Sequence, residues 1–212
     1  MEDMYEKIKE LATKYRDNLK EKLENRIIEM QNDDNSHYLI YRVLGISEKE
    51  GKHIDIYQNK GRFLYKYAGS FLEEATFLCF KNKFSIAKKE KIENIISTRP
   101  KTFEIDCLIK KNAYEIKWKD ATTDGDHITK EHTRVKAISA KGYKPIRIMF
   151  YYPNREQAKK VQETLETIYK GVNGEYYHSD EAWNYVKKVT GVDLFNILEK
   201  IAKEREKEDG YK

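Results

Sequence analysis

Apolar residues recur every three or four positions near the start of the chain, and no Gly or Pro interrupts them. This spacing predicts a long N-terminal helix that ends near Met30, where the polar segment 32–36 follows. The apolar face of the predicted helix consists of Met4, Ile8, Leu11, Tyr15, Leu19, Leu23 and Ile27.

The following segments are shorter. Residues 38–46 predict a second helix. Residues 53–57 and 62–67 have the composition of strand fragments, and the turn signal Asn59-Lys60-Gly61 lies between them. We therefore expect a β-hairpin in this part of the chain.

A capping-box spacing follows at Ser70 and Glu73, in front of an apolar run. The Ser-x-x-Glu pattern satisfies backbone N–H groups at a helix start, so it predicts a buried helix that begins at Gly69-Ser70. Because the box uses the Glu73 side chain, Glu74 is the acid of this turn that we expect to be available for another role.

Strict alternation of apolar and polar residues begins at Thr102. It runs through Phe103, Ile105, Cys107 and Ile109, and it resumes at Tyr114, Ile116 and Trp118 after the turn Lys110-Lys111-Asn112. Alternation with period two is typical of strands that have one buried face. The pattern predicts two adjacent antiparallel strands.

The C-terminal half alternates helix and strand signals. Asp124-Gly125-Asp126 predicts the start of a helix that runs to Gly142, and residues 144–152 predict a strand, so the strands on either side of the helix are expected to be parallel. The expected fold is α/β, with a mixed central β-sheet flanked by helices. Three further helices are predicted, with starts marked by Asn154 and Gln157, by Ser179 and by Asp193.

Composition indicates a folded, highly charged chain. Its 212 residues include 16 Tyr and 8 Phe, and 41 basic against 36 acidic residues give a net charge of +5, which is too balanced for a general polycation. Cys79 and Cys107 lack metal-type spacing and suit a reducing compartment. With neither a signal peptide nor a membrane-length apolar run, we expect a cytoplasmic protein that does not contact membranes.

Three reactive residues are expected to converge on the predicted strand pair. Alternation puts Glu115 and Lys117 on one face, and the turn brings Asp106 close to that face. Two carboxylates that hold Mg²⁺ and a lysine that acts on water are suited to phosphodiester hydrolysis. The alternative is an exposed charged face of a hairpin. The other Glu-x-Lys of the chain, Glu50-Gly51-Lys52, is expected to lie in a loop.

This arrangement resembles the PD-(D/E)XK nuclease superfamily, in which an acid on one strand precedes (D/E)-x-K on the next. The resemblance implies that Asp106, Glu115 and the main-chain carbonyl of Ile116 bind Mg²⁺, and that Lys117 positions or activates the attacking water. The leading Pro of the motif is absent, since Ile105 precedes Asp106.

The wider chain resembles type II restriction endonucleases, and segments 57–63, 69–74 and 115–122 look most like the ApaLI-like family. The resemblance implies a restriction-endonuclease-like core and sequence-specific cleavage of double-stranded DNA that leaves 5′-phosphates. It also implies a homodimer, with the N-terminal and C-terminal helices as candidate interfaces. We expect residues 1–212 to form a single nuclease domain, with an N-terminal helical and β-hairpin region (1–68), a catalytic core (69–152) and C-terminal helices (153–212).

Additional site residues follow from the same resemblance and from local charge. Many superfamily members add an acid from the helix before the hairpin, and Glu74 is the expected additional metal ligand. His127 and His132 have no partner at zinc-site spacing. The alternatives for the DNA contacts are a plain hairpin turn and a solvated helix. The candidate DNA-binding residues are Asn59, Lys60, Arg62, Lys119, Thr122, Thr123, Asp124, His127, Lys130 and Arg134.

Two other functions are compatible with these residues. One is a junction-resolving or repair nuclease with the same centre but structure-specific recognition. The other is a DNA-binding protein without catalytic activity, in which the carboxylates are only structural.

Overall fold

The computed structural model describes residues 2–119 and 125–208, and for Glu2, Gly125 and Asp126 it describes the backbone alone. Seven helices and five strands lie in this described part of the chain. They are α1 (Glu2–Gln31), α2 (Tyr38–Val43), α3 (Glu48–Lys83), β1 (Lys88–Glu93), β2 (Thr102–Ile109), β3 (Asn112–Lys119), α4 (Gly125–Ala140), β4 (Lys144–Tyr151), α5 (Glu156–Lys170), β5 (Glu175–His178), α6 (Ser179–Thr190) and α7 (Leu194–Glu208).

The chain folds into two compact units. The first consists of Met1–Ile8 and Leu72–Lys212 and contains all five strands, and the second, Lys9–Phe71, is helical. Helices α1 and α3 each contribute residues to both units.

The sheet of the first unit has the strand order β1-β2-β3-β4-β5. Strands β1, β2 and β3 pair antiparallel, whereas β3, β4 and β5 pair parallel, so the sheet is mixed as predicted. On one face, Val135 of α4 and Leu165 of α5 join Met149 in a buried cluster. On the other, Phe80 of α3 stacks on Tyr114, with ring centroids 4.6 Å apart. This layered α/β arrangement agrees with a restriction-endonuclease-like core.

A bulge interrupts β2 at Asp106 and Cys107. Lys88 pairs with Leu108 and Glu90 with Ile105, so two residues of β2 stand opposite one residue of β1. As a result, Leu108 joins Phe103 and Ile105 in the buried cluster that contacts α4. The predicted alternation through Cys107 and Ile109 is therefore wrong beyond this point, although the predicted strand pair β2–β3 is confirmed.

In the second unit, a helix takes the place of the predicted hairpin. Residues 53–57, 59–61 and 62–67 all belong to the single helix α3, which also passes through Gly69-Ser70 and contains Glu50-Gly51-Lys52. The predicted strands, the turn, the loop and the capping box are therefore wrong. Packing of α3 on α1 accounts for the difference, because aromatic contacts recur at helical spacing: Tyr15 lies 6.2 Å from Tyr67 and 5.8 Å from Phe71 between ring centroids.

Most other predicted elements are confirmed. Helices α1, α2, α4, α6 and α7 and strand β4 lie close to their predicted positions, and the Asn196 N–H donates to Asp193 Oδ1 over 3.1 Å at the start of α7. Helix α5 starts after Arg155 without a side-chain cap, so the predicted Asn154 cap is wrong. The sequence patterns did not predict β1 or β5.

Cys79 and Cys107 are buried and free. No helix among the described residues is long and apolar enough to cross a membrane.

Candidate active site

Asp106, Glu115 and Lys117 come together where the pairing of β2 and β3 ends. The paired residues are Cys107 to Ile109 with Tyr114 to Asn112. Next to them, the Ile116 N–H donates to Asp106 Oδ2 over 2.7 Å. The Asp106 carboxylate thus accepts a hydrogen bond from the backbone of β3, and Asp106 is also one of the two residues of the bulge in β2. The hydrogen bond from Ile116 therefore anchors the Asp106 carboxylate at the bulge.

Glu115 is held between two cations. Lys117 Nζ lies 2.5 Å from Glu115 Oε1, and Arg134 Nη1 of α4 contacts Glu115 Oε2. The Glu115 side chain is only 3% exposed, whereas that of Lys117 is 34% exposed. A carboxylate at this depth needs charge compensation, and the two cations provide it. Lys117 also gives the cluster a group that reaches solvent.

The two carboxylates ionise very differently. Burial, together with the negative charge of Glu115, raises the pKa of Asp106 to about 8. Burial also acts against the charged form of Glu115, but Lys117 and Arg134 outweigh it and lower the pKa of Glu115 to about 2. Burial works to lower the pKa of Lys117, yet Glu115 and Asp106 raise it above its ordinary value. The positive charge in the folded site is thus sufficient to keep Glu115 ionised at neutral pH, but it is insufficient to keep Asp106 ionised.

A buried network lies behind Glu115, and sequence reasoning missed it. Glu131 of α4 accepts a hydrogen bond from Arg147 Nη1 over 3.0 Å and from Tyr169 Oη over 3.1 Å, both at Oε2. Its other oxygen, Oε1, lies 3.2 Å from Arg134 Nε. Glu131 is 3% exposed and Arg147 is fully buried. The signal in the sequence was an arginine inside the apolar strand β4, where a charge needs a partner.

Glu73 and Lys89 lie beside Asp106. Lys89 Nζ of β1 is 2.6 Å from Glu73 Oε1, and Lys89 is the β1 residue opposite the bulge. The negative charge of Glu73 also contributes to the raised pKa of Asp106, after burial and Glu115. Since α3 continues through Ser70, no capping box engages Glu73, and the reason for preferring Glu74 is wrong. Glu74 is half-buried one residue further along α3, and its role as a ligand stays a prediction.

The candidate DNA contacts are spread over several elements. Lys119 is exposed at the end of β3, Lys130 is exposed on α4 and His127 is half-buried on α4. The alternative of a solvated helix face is wrong for Arg134, because Arg134 contacts Glu115 and Glu131 in the site, and its contact with DNA stays a prediction. Asn59, Lys60 and Arg62 lie in α3 within the second unit, not in a loop. Thr122, Thr123 and Asp124 fall outside the described residues.

The donor set around Asp106 fits a hard divalent cation. Asp106 and Glu115 supply carboxylate oxygens, and the Ile116 carbonyl belongs to the backbone between Glu115 and Lys117. Burial and Glu115 disfavour the ionised form of Asp106, and a bound cation would favour it. Within residues 2–119 and 125–208, no three His, Cys, Asp or Glu side chains are grouped closely enough to hold a metal ion. Water and phosphate oxygens would have to complete the coordination shell.

Comparisons with known proteins point to one family. A search of curated proteins and a search of solved structures each gave no significant match. The model of the ApaLI-like restriction endonuclease family matches residues 1–203 of the 212. The match includes the site, the whole of the second unit and the first unit as far as residue 203. The chain therefore belongs to the ApaLI-like restriction endonuclease family and is a nuclease that acts on DNA.

Proposed function

We propose that the protein is a type II restriction endonuclease of the PD-(D/E)XK superfamily. It would cut both strands of double-stranded DNA at a specific sequence, depend on Mg²⁺ and leave 5′-phosphates. The observation that carries the proposal is the convergence of Asp106, Glu115 and Lys117 where the β2–β3 pairing ends, in a chain that belongs to a restriction endonuclease family.

Asp106, Glu115 and the Ile116 carbonyl are the groups that would hold Mg²⁺. When bound, the ion supplies Lewis acidity toward the scissile phosphate and lowers the pKa of a coordinated water. Asp106 is anchored by the Ile116 N–H, so its carboxylate is already oriented. Preorganised donors of this kind avoid a reorganisation cost during the reaction.

Lys117 would act as a protonated residue. Its pKa is raised by Glu115 and Asp106 against the effect of burial, so it keeps its proton at neutral pH. A protonated lysine cannot remove a proton from water. Lys117 would instead donate a hydrogen bond that orients the attacking water, and it would offset the negative charge that develops on the phosphate.

An additional acid from α3 would complete the site, and Glu73 is supported more strongly than Glu74. Glu73 is joined to Lys89 beside Asp106, and its charge influences the Asp106 carboxyl group. Comparison of Glu73→Gln with Glu74→Gln decides between them. A larger loss of cleavage for Glu73→Gln is expected, and a larger loss for Glu74→Gln would identify Glu74 as the additional acid.

Sequencing the ends of cleaved DNA tests the activity directly. Long defined DNA is incubated with the protein and Mg²⁺, and we expect discrete fragments with one motif at every end. Asp106→Asn and Glu115→Gln should abolish cleavage while DNA binding is retained. Glu115→Gln should also strengthen binding, because it removes a carboxylate that is ionised in the folded site. Glu156→Gln, at an exposed ion pair on α5, is the control.

Two outcomes of that experiment would contradict the proposal. Cleavage confined to four-way junctions would indicate a junction-resolving nuclease, and random ends would indicate a nuclease without sequence specificity. Cleavage by Asp106→Asn and Lys117→Ala at the rate of the unchanged protein would remove these residues from the catalytic centre.

A homodimer is part of the proposal, because two strands of a palindromic site need two centres. Support comes from α2 in the second unit, which is not one of the N-terminal and C-terminal helices expected from the sequence. Its Tyr38 and Tyr41 rings lie against Gly51, and Tyr41 Oη donates to Asp55 over 2.9 Å. The opposite side of this anchored segment exposes large aliphatic side chains, a feature typical of interaction surfaces. These are Leu39, Ile40, Val43 and Leu44, which are 57–73% exposed.

Sedimentation velocity tests the dimer. The unchanged protein should sediment as a species of twice the chain mass of 25.3 kDa. Val43→Glu, which puts a charge among the exposed aliphatic side chains of α2, should give monomers. Lys49→Glu, which changes an exposed residue of α3 outside the segment, is the control. A monomer in the unchanged protein, or a dimer that tolerates Val43→Glu, would contradict this interface.

A further inference from the structure

We propose that Arg134 is a resident counter-cation that competes with the divalent metal for Glu115 and thereby sets the metal affinity of the DNA-free protein. The inference rests on the proposed function, because it concerns the same site. It assigns to α4 a role in metal binding that is distinct from the ligands themselves.

The first support is the occupancy of the Glu115 carboxylate. Lys117 contacts Oε1 and Arg134 contacts Oε2, so both oxygens already have a cationic partner. A metal ion that approaches Glu115 meets a positive charge at each oxygen. Coulomb repulsion between a divalent ion and a guanidinium a few ångströms away is large in a site shielded from water.

The second support is the way in which Arg134 is held. Glu131 lies 3.2 Å from Arg134 Nε, and the Arg134 guanidinium carbon lies 5.6 Å from the centre of the Phe103 ring. Glu131 is itself fixed by hydrogen bonds from Arg147 and Tyr169. The buried carboxylate of Glu131 therefore holds the Arg134 guanidinium in position. An arginine on a solvated helix face would move away from an incoming metal at little cost, whereas this one is retained.

The third support is the charge balance. Three cations, Lys117, Arg134 and Arg147, stand among three carboxylates, those of Asp106, Glu115 and Glu131. The formal charge of this set is zero when all six groups are ionised. A divalent ion leaves the set with excess positive charge, so removal of one cation should favour metal binding.

Manganese binding to the DNA-free protein tests the inference without reliance on activity. The free Mn²⁺ signal in electron paramagnetic resonance gives the dissociation constant. Arg134→Gln should bind Mn²⁺ at least about fivefold more tightly than the unchanged protein. Arg134→Lys retains the charge and should stay within about twofold of the unchanged protein, as should Lys136→Gln, which removes an exposed charge from the same helix.

Arg134→Met provides a second neutral variant, whose chain length preserves packing on Phe103, in case Arg134→Gln does not fold. Binding by a folded neutral variant that equals or falls below that of the unchanged protein overturns the inference. Glu115→Gln separates this failure from that of the proposed function. If Glu115→Gln abolishes Mn²⁺ binding while the neutral variants leave it unchanged, Arg134 alone is wrongly assigned. If the unchanged protein binds no Mn²⁺, or Glu115→Gln has no effect, the proposed metal site fails as well.

Discussion

Replacement of Glu131 by Gln should destabilise the first unit strongly, because the buried Glu131 side chain contacts Arg134, Arg147 and Tyr169. Gln has nearly the same shape, so the change removes charge without opening a cavity. Arg147 is fully buried and would lose the carboxylate that accepts its 3.0 Å hydrogen bond. Arg134 would retain Glu115 alone.

The expected magnitude follows from the burial of both partners. Removal of one member of a buried ion pair costs about 3–5 kcal/mol, because the remaining charge is left in a poorly solvated position. For a protein of this size, each 1 kcal/mol corresponds to about 2–4 °C in Tm, so a decrease of about 6–20 °C is expected. The loss is a large part of the total stability of about 5–15 kcal/mol that is usual for a protein.

Tryptophan fluorescence in urea is the appropriate measurement. Both tryptophans of the chain, Trp118 and Trp183, belong to the first unit, so their emission reports its unfolding and not that of the helical unit. Glu156→Gln is the matched control, since its ion pair with Lys160 is exposed and worth less than about 1 kcal/mol. Equal unfolding midpoints for Glu131→Gln and Glu156→Gln would refute the view that this network is tightly coupled.

Three further results are expected. Lys117→Ala should lower kcat by about 10²–10³-fold while DNA binding in a gel-shift assay is retained, because it removes a donor that acts on developing charge; loss of binding would contradict this role. Phe80→Ala should cost about 3–5 kcal/mol in urea unfolding, because Phe80 is fully buried against Tyr114; a cost below about 1 kcal/mol would refute it. The hydrogen bond to Asp55 raises the pKa of His37, so its stabilisation is complete below the ordinary histidine pKa and is lost as pH rises through the raised value. Asp55→Asn should lower the pKa of His37 in an NMR titration, and an unchanged pKa would exclude this partner.

The proximity of Asp106, Glu115 and Lys117 could be predicted from the sequence more directly than the elements around them. Glu115 and Lys117 lie two residues apart on an alternating strand, and a short turn separates them from the strand of Asp106, so local spacing alone brings them together. By contrast, Arg134 and Arg147 approach Glu131 from different elements, and pairing of this kind depends on tertiary packing. A single sequence shows that a buried arginine needs a partner, but it does not identify the partner.

The failed hairpin has a physical explanation. Asn59-Lys60-Gly61 is a common turn signal, yet Gly61 costs a helix only about 1 kcal/mol. Packing of Tyr15 between Tyr67 and Phe71 offsets a penalty of that size. Strand β1 was missed for a different reason. Ile92 is its one buried residue, so it carries no alternation that could be detected.

The bulge at Asp106 and Cys107 makes the site sensitive to the length of β2 more than to its composition. Deletion of Cys107 would remove the bulge and restore regular alternation, so Leu108 would stay on the face of Phe103 and Ile105, whereas Asp106 would lie on the opposite face. Substitutions on the exposed side would leave that geometry intact. We therefore expect variation among related proteins in this strand to consist of exchanged residues, with insertions and deletions confined to the turn after Ile109.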